Sequence, residues 1–522
     1  MKQWIILAAL IAACGMGAAA QSRTGKVNFA NSGAAKAQES FQVGLAQLHN
    51  FQYEQAEHLF RQAEALDPNF AMAYWGEALT HVHPLWNYED LAGARAVLQK
   101  LAPTADQRAG KAGTEREKEY LHSIEVLFSE GDRDTRNQHY SDALGLLHEH
   151  YPQDVDAAAL YALSLLGKQL TRDPATYMRA AAILEDYFPA NQQHPGVVHY
   201  LIHSYDDPVH APLGMRAARL YGKIAPDSGH ALHMTSHIFI AMGMWRDVIQ
   251  ANLEALAAST RQSKSGADFA ASCNHGNSWL SYGYLQVGEF QRAHEVIASC
   301  MQKTSTLPLD KTSYGYAQQM LAHYLVETQQ WTDPLLSQPA PPAQFPHALV
   351  TYWYSHAMAA AQRGDLAEAQ KDFDALTSAH TALVAALAAE THPNKAAESY
   401  AAVEEQQVKA MLLLGRGEKA QALEILQEAA KKEGAIPFEF GPPAVPKPSA
   451  ELVAELLMKL NRPSEAIQIL RDQLTRTPGK TETLSDLRDA AKLANDSATQ
   501  KAAEEVLVTN LAKAGSAEAA KK

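Results

Sequence analysis

Two pairs of histidines set the strongest constraint on what this chain can fold into. His199 and His203 stand four residues apart, and so do His233 and His237. On an α-helix that spacing puts both imidazoles of a pair on one face. His233 follows His199 by 34 residues, and His237 follows His203 by the same 34. That period fits a helix–turn–helix unit, which cannot bury its apolar face alone and stacks on its own copies. Equivalent helices of neighbouring units are then expected to carry their histidines side by side. The rest of the chain reads as scaffold for that meeting.

A chain of 522 residues is too long for a single compact core. Abundant Ala, clustered Gly and Pro and few β-branched runs favour helix. A net charge of −13 argues against a nucleic-acid groove, which needs a basic stripe. No basic amphipathic stretch points to membrane-surface binding.

At the N-terminus, Lys2 precedes an apolar run from Trp4 to Ala13 that is too short to span a bilayer, and Ala18-Ala19-Ala20 offers small residues at a cleavage site. Residues 1–20 are therefore expected to be a signal peptide, with a bacterial periplasm as destination. Ile11-Ala12-Ala13-Cys14-Gly15 leaves open a lipoprotein alternative, with Cys14 acylated at the outer membrane and serving as the chain's one membrane link. A short core helix is the remaining alternative.

Taken in order, the chain predicts helices and turns throughout. The first unit runs from about Ala37, with Gly44, Ala56, Phe60, Ala63 and Pro68 as small, aromatic and terminating landmarks. A helix follows in AMAYWGEALTHVHPLW, with Pro84 expected to stop it. Further helices are expected at 114–130, where Thr114 and acidic residues form a capped start, and at 134–150, 154–167 and 174–187. The central units span about 195–228 and 229–262, and pairs continue at 271–302, 312–330, 347–381 and 396–431. Pro-rich insertions interrupt at 333–346 and 434–448. A last unit with Ala466 and Pro478 and a more polar capping pair at 480–512 complete the array, and the tail 513–522 is expected to be disordered. No alternating strand pattern stands out. The expected fold is an all-α, right-handed helical-repeat solenoid over 37–512.

The landmarks at 44–68 and 466–478 resemble the tetratricopeptide repeat family. The phrases YWGEAL (74–79), AALYALSLL (158–166), HPGVVHYLIH (194–203), GHALHMTSHIF (229–239) and FGPPAVPKPSAELVAELL (440–457) are similar to exported bacterial members of it. That resemblance spans nearly the whole mature chain; it implies fold and export, and no reaction. In the family the first helix of each unit lines the concave surface, with positions 2, 5 and 9 pointing into the groove. Counted from Pro195, Gly229 and Asn274, those positions hold His199 and His203, then His230, His233 and His237, then His275. Six histidines from three successive helices are thereby aimed at one groove.

Three readings fit that groove. The histidines are packing and hydrogen-bonding groups, satisfied by carbonyls and by Tyr200, Tyr205 or Tyr282. Alternatively His199, His203, His233 and His237 bind one divalent transition metal, zinc or copper, because neutral imidazole suits both. Asp206 or Asp207 would then orient a ligand. In the third reading His230, His275, Tyr200, Tyr282 and Asp206 recognise a peptide, protein or small molecule without metal. HALHMTSH lacks the Glu of the HExxH motif, and no nucleophile triad, phosphate loop or dinucleotide fingerprint appears. A metal-dependent enzyme using the same histidines stays open as an alternative. His81 and His83 read as local cap or loop residues, and Trp279 as core or a stacking wall.

Cys273 and Cys300 lie about equally far from the turn near Gly288, on the two helices of one unit. At 1.5 Å rise per residue their sulfurs come to similar height. They are expected to form a disulfide in the exported protein, with two buried reduced thiols as the alternative.

Overall fold

Side-chain caps dictate where many helices begin. Thr114 accepts the backbone N–H of Glu117, whose own side chain returns to the Thr114 N–H. Asp154, Asp173, His194 and Ser228 cap in the same sense, and Pro174 and Pro195 open their helices with a ring already set for helical φ. The computed structural model describes residues 23–168, 172–262, 273–306, 311–390, 394–438 and 440–511. The expected signal segment with Cys14 and the expected disordered tail lie outside them.

Among the described residues 24 α-helices succeed one another. The N-terminal third holds α1 (Gln38–His49), α2 (Tyr53–Leu66), α3 (Ala71–Leu79), α4 (Leu91–Leu101), α5 (Ala105–Ala109), α6 (Glu115–Leu127), α7 (Arg133–His150), α8 (Val155–Gly167) and α9 (Pro174–Tyr187). The centre holds α10 (Pro195–Ser204), α11 (Ala211–Ile224), α12 (Gly229–Ala241), α13 (Trp245–Gln262), α14 (His275–Gln286), α15 (Phe290–Thr306) and α16 (Lys311–Thr328). The C-terminal third holds α17 (Pro346–Gln362), α18 (Leu366–Ala388), α19 (Lys395–Gly415), α20 (Lys419–Ala435), α21 (Ser449–Lys459), α22 (Pro463–Arg476), α23 (Thr481–Leu493) and α24 (Ser497–Leu511). Along most of the array each helix packs on the next, the stacking the 34-residue period predicts. The fold is an all-α helical-repeat array, and no helix among the described residues is long and apolar enough to cross a membrane.

The landmarks work as the sequence predicts. The Phe60 ring fills the space between α1, α2 and α3: a Cβ at Gly44 would meet it at 3.2 Å and one at Gly76 at 2.4 Å. Phe60, Ala56 and Ala63 have no exposed surface. Gly288 turns α14 into α15 at φ +74°, a conformation other residues rarely adopt.

Two details differ from expectation. Helix α3 stops at Leu79, well before Pro84, where the Thr80 hydroxyl donates to the Glu77 carbonyl. A short antiparallel pair follows, β1 (Val82–His83) with β2 (Tyr88–Glu89), turned by Asn87 at φ +53°. Helix α18 also runs on to Ala388, past the expected end at 381.

Both ends of the array return to its centre. Asn50, after α1, receives the Tyr221 hydroxyl at 2.8 Å, and α1 packs on α10. From the other end, Gly479 accepts the Trp245 indole N–H at 2.9 Å, and Thr481 bonds Gln286 through both its N–H and its hydroxyl. A Cβ at Gly243 would sit 2.4 Å from the Pro478 carbonyl, so that crossing needs the glycine. The central helices are therefore held from two sides.

Cys273 and Cys300 are joined in a disulfide, with Cα atoms 5.1 Å apart. It ties the start of α14 to α15. Thiol counting on unfolded, unreduced protein should find neither residue free; two reactive thiols there would contradict the bridge.

Glu404 in α19 is buried, with the half-buried Glu433 of α20 near enough for its charge to be felt. Burial, and then the charge of Glu433, pushes Glu404 up to about 8; burial pushes Glu433 up to about 7. A folded-state pKa above the unfolded value means the native state binds the extra proton. The stability this contributes is complete below about pH 4.5 and is lost as pH rises through about 8. Glu404→Gln removes the titration, so at pH 8.5 the variant should be more stable than wild type by about 1–3 kcal/mol. Urea unfolding at pH 5 and 8.5 measures this, and equal destabilisation at both would count against it.

Candidate functional site

The site is assembled by the starts of three first helices. His194 caps α10 through its Nδ1, which accepts the Val197 N–H, and Pro195 then sets the register that places His199 and His203 on one face. Ser228 caps α12, which carries His230, His233 and His237. Asn274 forms a capping box with Asn277, so His275 is the first residue of α14. Helices α10 and α12 pack directly on one another.

These histidines converge into two triads. His199 Nε2 lies 3.1 Å from His203 Nε2 and 3.2 Å from His230 Nε2. His233 Nε2 lies 3.1 Å from His237 Nε2, and the His275 ring centroid is 4.4 Å from that of His233. In each triad one nitrogen per ring lies within 4.8 Å of the other two. The four residues expected as one ligand set, His199, His203, His233 and His237, are instead divided two and two. Each pair is completed by position 2 of the next unit, His230 or His275.

Three outer contacts fix which nitrogen faces inward. His199 Nδ1 donates to the His49 carbonyl at 2.7 Å. His233 Nδ1 donates to Asn252 Oδ1 at 2.7 Å, and the amide is oriented because its Nδ2 donates to the Val248 carbonyl. His237 Nδ1 donates to Asp206 Oδ2 at 2.6 Å. A neutral imidazole that donates from one nitrogen is an acceptor at the other. With both rings neutral, His233 and His237 face each other acceptor to acceptor. In the other triad, two neighbouring nitrogens crowd the single lone pair of His199.

Desolvation favours the neutral form of five of the rings. It pushes His199 down to about 3, opposed by the His49 carbonyl bond and reinforced by the neighbouring His49 and His237. It pushes His275 down to about 3 as well, with His237 adding to the effect. His203, His230 and His233 are driven well below the ordinary range by burial and then by mutual repulsion.

The sequence suggests an open groove, whereas the structure encloses most of the cluster. His199, His203, His230, His233 and His237 are buried and His275 is half-buried. The reason is aromatic cover from distant segments. Phe51, at φ +55° after α1, lies edge-on to His199 at 4.4 Å and stacks on His230 at 5.3 Å. Trp86 meets His230 edge-on at 5.6 Å. Phe440, from the second Pro-rich insertion, sits 5.2 Å from His237, and a Cβ at its neighbour Gly441 would meet Trp279 at 2.3 Å. His83 is likewise drawn inward, stacked on Tyr53 at 3.7 Å beside Trp86. His81 stays local, bonded to Asp90.

Of the other expected site residues, Asp206 reaches the cluster and Asp207 does not. Asp207 is taken by Arg172 and His210. Asp206 Oδ1 and the Tyr282 hydroxyl are buried without hydrogen-bond partners among the described residues, and both line a cavity of about 80 Å³. Tyr200 touches no ligand nitrogen through its hydroxyl; it pairs with His49 Nδ1 at 3.0 Å, deep in the core.

That contact belongs to a network that sequence reasoning missed. Asp156 Oδ1 accepts from His49 Nε2 at 3.0 Å and from His194 Nε2 at 3.1 Å. With Tyr200 and the Val197 N–H on the other nitrogens, every ring nitrogen of the pair is satisfied. Burial alone would raise the Asp156 carboxyl, yet the two histidines hold it well below the usual carboxylate range. This triad is a structural lock, unlike the two above.

No protein-family model matches the chain, and no curated protein matches it. Among solved structures it is similar to the APC/C hetero-tetramer Cut9–Hcn1, at 12% identity over 93% of this chain and 89% of that one, with a TM-score of 0.32. Yeast Tom70 matches at 13% identity over 88% and 96%, with a TM-score of 0.35. The human IFIT1 dimer with PPP-AAAA matches at 13% identity over 90% of each chain, with a TM-score of 0.36. At these scores the likenesses carry no weight for function.

Asp156→Ala should lower the unfolding free energy by about 2–4 kcal/mol, because two buried imidazole N–H groups lose their acceptor. Chemical denaturation measures this, and a loss under about 0.5 kcal/mol, ordinary for a neutral surface change, would refute the lock.

Proposed function

We propose that this is an exported helical-repeat protein whose central histidines bind a divalent transition metal, zinc or copper, within a scaffold that receives a protein, peptide or small ligand. The metal reading is carried by one observation: His233 and His237 turn acceptor nitrogens toward each other at 3.1 Å while Asn252 and Asp206 hold their other nitrogens. Two lone pairs at that distance repel. A shared cation turns the same geometry into coordination. The Asp206–His237 contact is the carboxylate–histidine pairing that fixes the tautomer of a ligating ring and raises its basicity. Neutral rings suit the same role, because a protonated imidazole cannot ligate.

The scaffold reading rests on the stacked helix pairs, since such arrays bind partners along their surfaces. Export is supported by the N-terminal sequence and by the disulfide, which suits an oxidising compartment. A metal-dependent enzyme is the second reading. Three histidines leave a tetrahedral ion one position for water or substrate, the arrangement of catalytic rather than closed zinc sites.

Protein purified without an affinity tag should contain at least one equivalent of zinc or copper by elemental analysis. The double substitution His203→Ala with His233→Ala takes a ligand from each triad and should lower that content at least tenfold. Helical circular dichroism should persist. Metal-free wild type that does not take up either ion, or undiminished content in the double variant, would rule the reading out.

A further inference from the structure

The two triads are built alike. Each takes positions 5 and 9 of one first helix and position 2 of the next: His199, His203 and His230, then His233, His237 and His275. Each has the same 3.1 Å contact between the pair four residues apart. In each the position-5 ring donates its Nδ1 proton to a fixed oxygen, the His49 carbonyl or Asn252 Oδ1. Each triad thus bridges two successive units, and the stacking of units copies it. The copies are also neighbours. Helix α12 supplies His230 to one and His233 to the other, with ring centroids 6.5 Å apart. His203 and His237 bring the triads to 6.1 Å across the other side.

We infer that the protein holds two divalent transition-metal ions as an adjacent pair, one in each three-histidine set, with a fourth position on each ion left for water or a small anion. This rests on the metal reading above and extends it from a single ion to a six-histidine, two-metal centre. Three nitrogens per ion match the ligand number of open zinc sites. The Asp206 carboxylate, behind His237, biases that ligand of the second ion toward greater basicity than a ring backed only by a carbonyl, such as His199. The two ions are thereby made chemically unequal.

The test strips full-length protein with a chelator and reloads it with Cu(II) or Zn(II) alone. Wild type should bind two ions per chain, and His230→Ala and His275→Ala should each bind one, a twofold loss in either case. His230→Asn and His275→Asn repeat the test with smaller change in packing. The Cu(II) spectrum of wild type by electron paramagnetic resonance should show broadening or signal loss from a neighbouring spin, and both single variants should show an isolated ion. One ion per chain in wild type would overturn the pair and leave the single-metal reading standing. Two ions with the spectrum of isolated centres would overturn their adjacency. No uptake at all would overturn both readings.

Discussion

The arrangement depends on three oxygen acceptors that each take an imidazole N–H: the His49 carbonyl, Asn252 Oδ1 and Asp206 Oδ2. None of them belongs to either all-histidine triad. By committing one nitrogen of His199, His233 and His237, they decide that the other nitrogen points inward as a lone pair. Without them the rings could satisfy one another by donating and accepting in turn, and the cluster would be an ordinary buried hydrogen-bond network. The His49–Asp156–His194 set shows what that ordinary state looks like in the same molecule, with every ring nitrogen paired.

The acceptors come from different levels of the fold. Asn252 lies on α13, the partner of α12 within one unit, and Asp206 lies just beyond α10 in the preceding unit. The His49 carbonyl comes from the end of α1, about 150 residues away in sequence, and is held there by the Asp156 network and by α1 packing on α10. One triad therefore depends on local repeat stacking, and the other depends on the array closing on itself. The same closure delivers the cover. Phe51 arrives with α1, and Phe440 arrives with the insertion that precedes α21.

The fold and the meeting of His199, His203, His233 and His237 were legible in the sequence because helical and solenoid periods are local, additive signals. Cap residues such as Thr114 and small landmarks such as Gly44 and Gly76 read correctly for the same reason. The grouping into ligand sets did not follow. It depends on the offset between stacked helices, which brings position 2 of one unit over positions 5 and 9 of the last. His49, Asp156 and His194 were missed because they lie up to 145 residues apart, and no pattern in any window joins them. The aromatic cover was missed for a related reason: Phe51 and Phe440 sit in connections, one at positive φ, where periodicity says nothing.

Burial and ligation oppose each other at this site in an informative way. Five imidazoles here are kept neutral by desolvation, so they do not have to lose a proton to meet a metal at neutral pH. The cost of that preparation is the approach of neutral acceptor nitrogens to 3.1 Å. On the proposed reading a cation would relieve their repulsion, and by binding only the folded arrangement it would add to the stability of the closed array. The disulfide supports the same end: it tethers Cys273, two residues before His275, to α15 and so fixes the start of the helix that completes the second triad. His275 is also the half-buried member of the cluster. The half-buried histidine of the second triad is thus the one that a covalent bond holds nearest to its place.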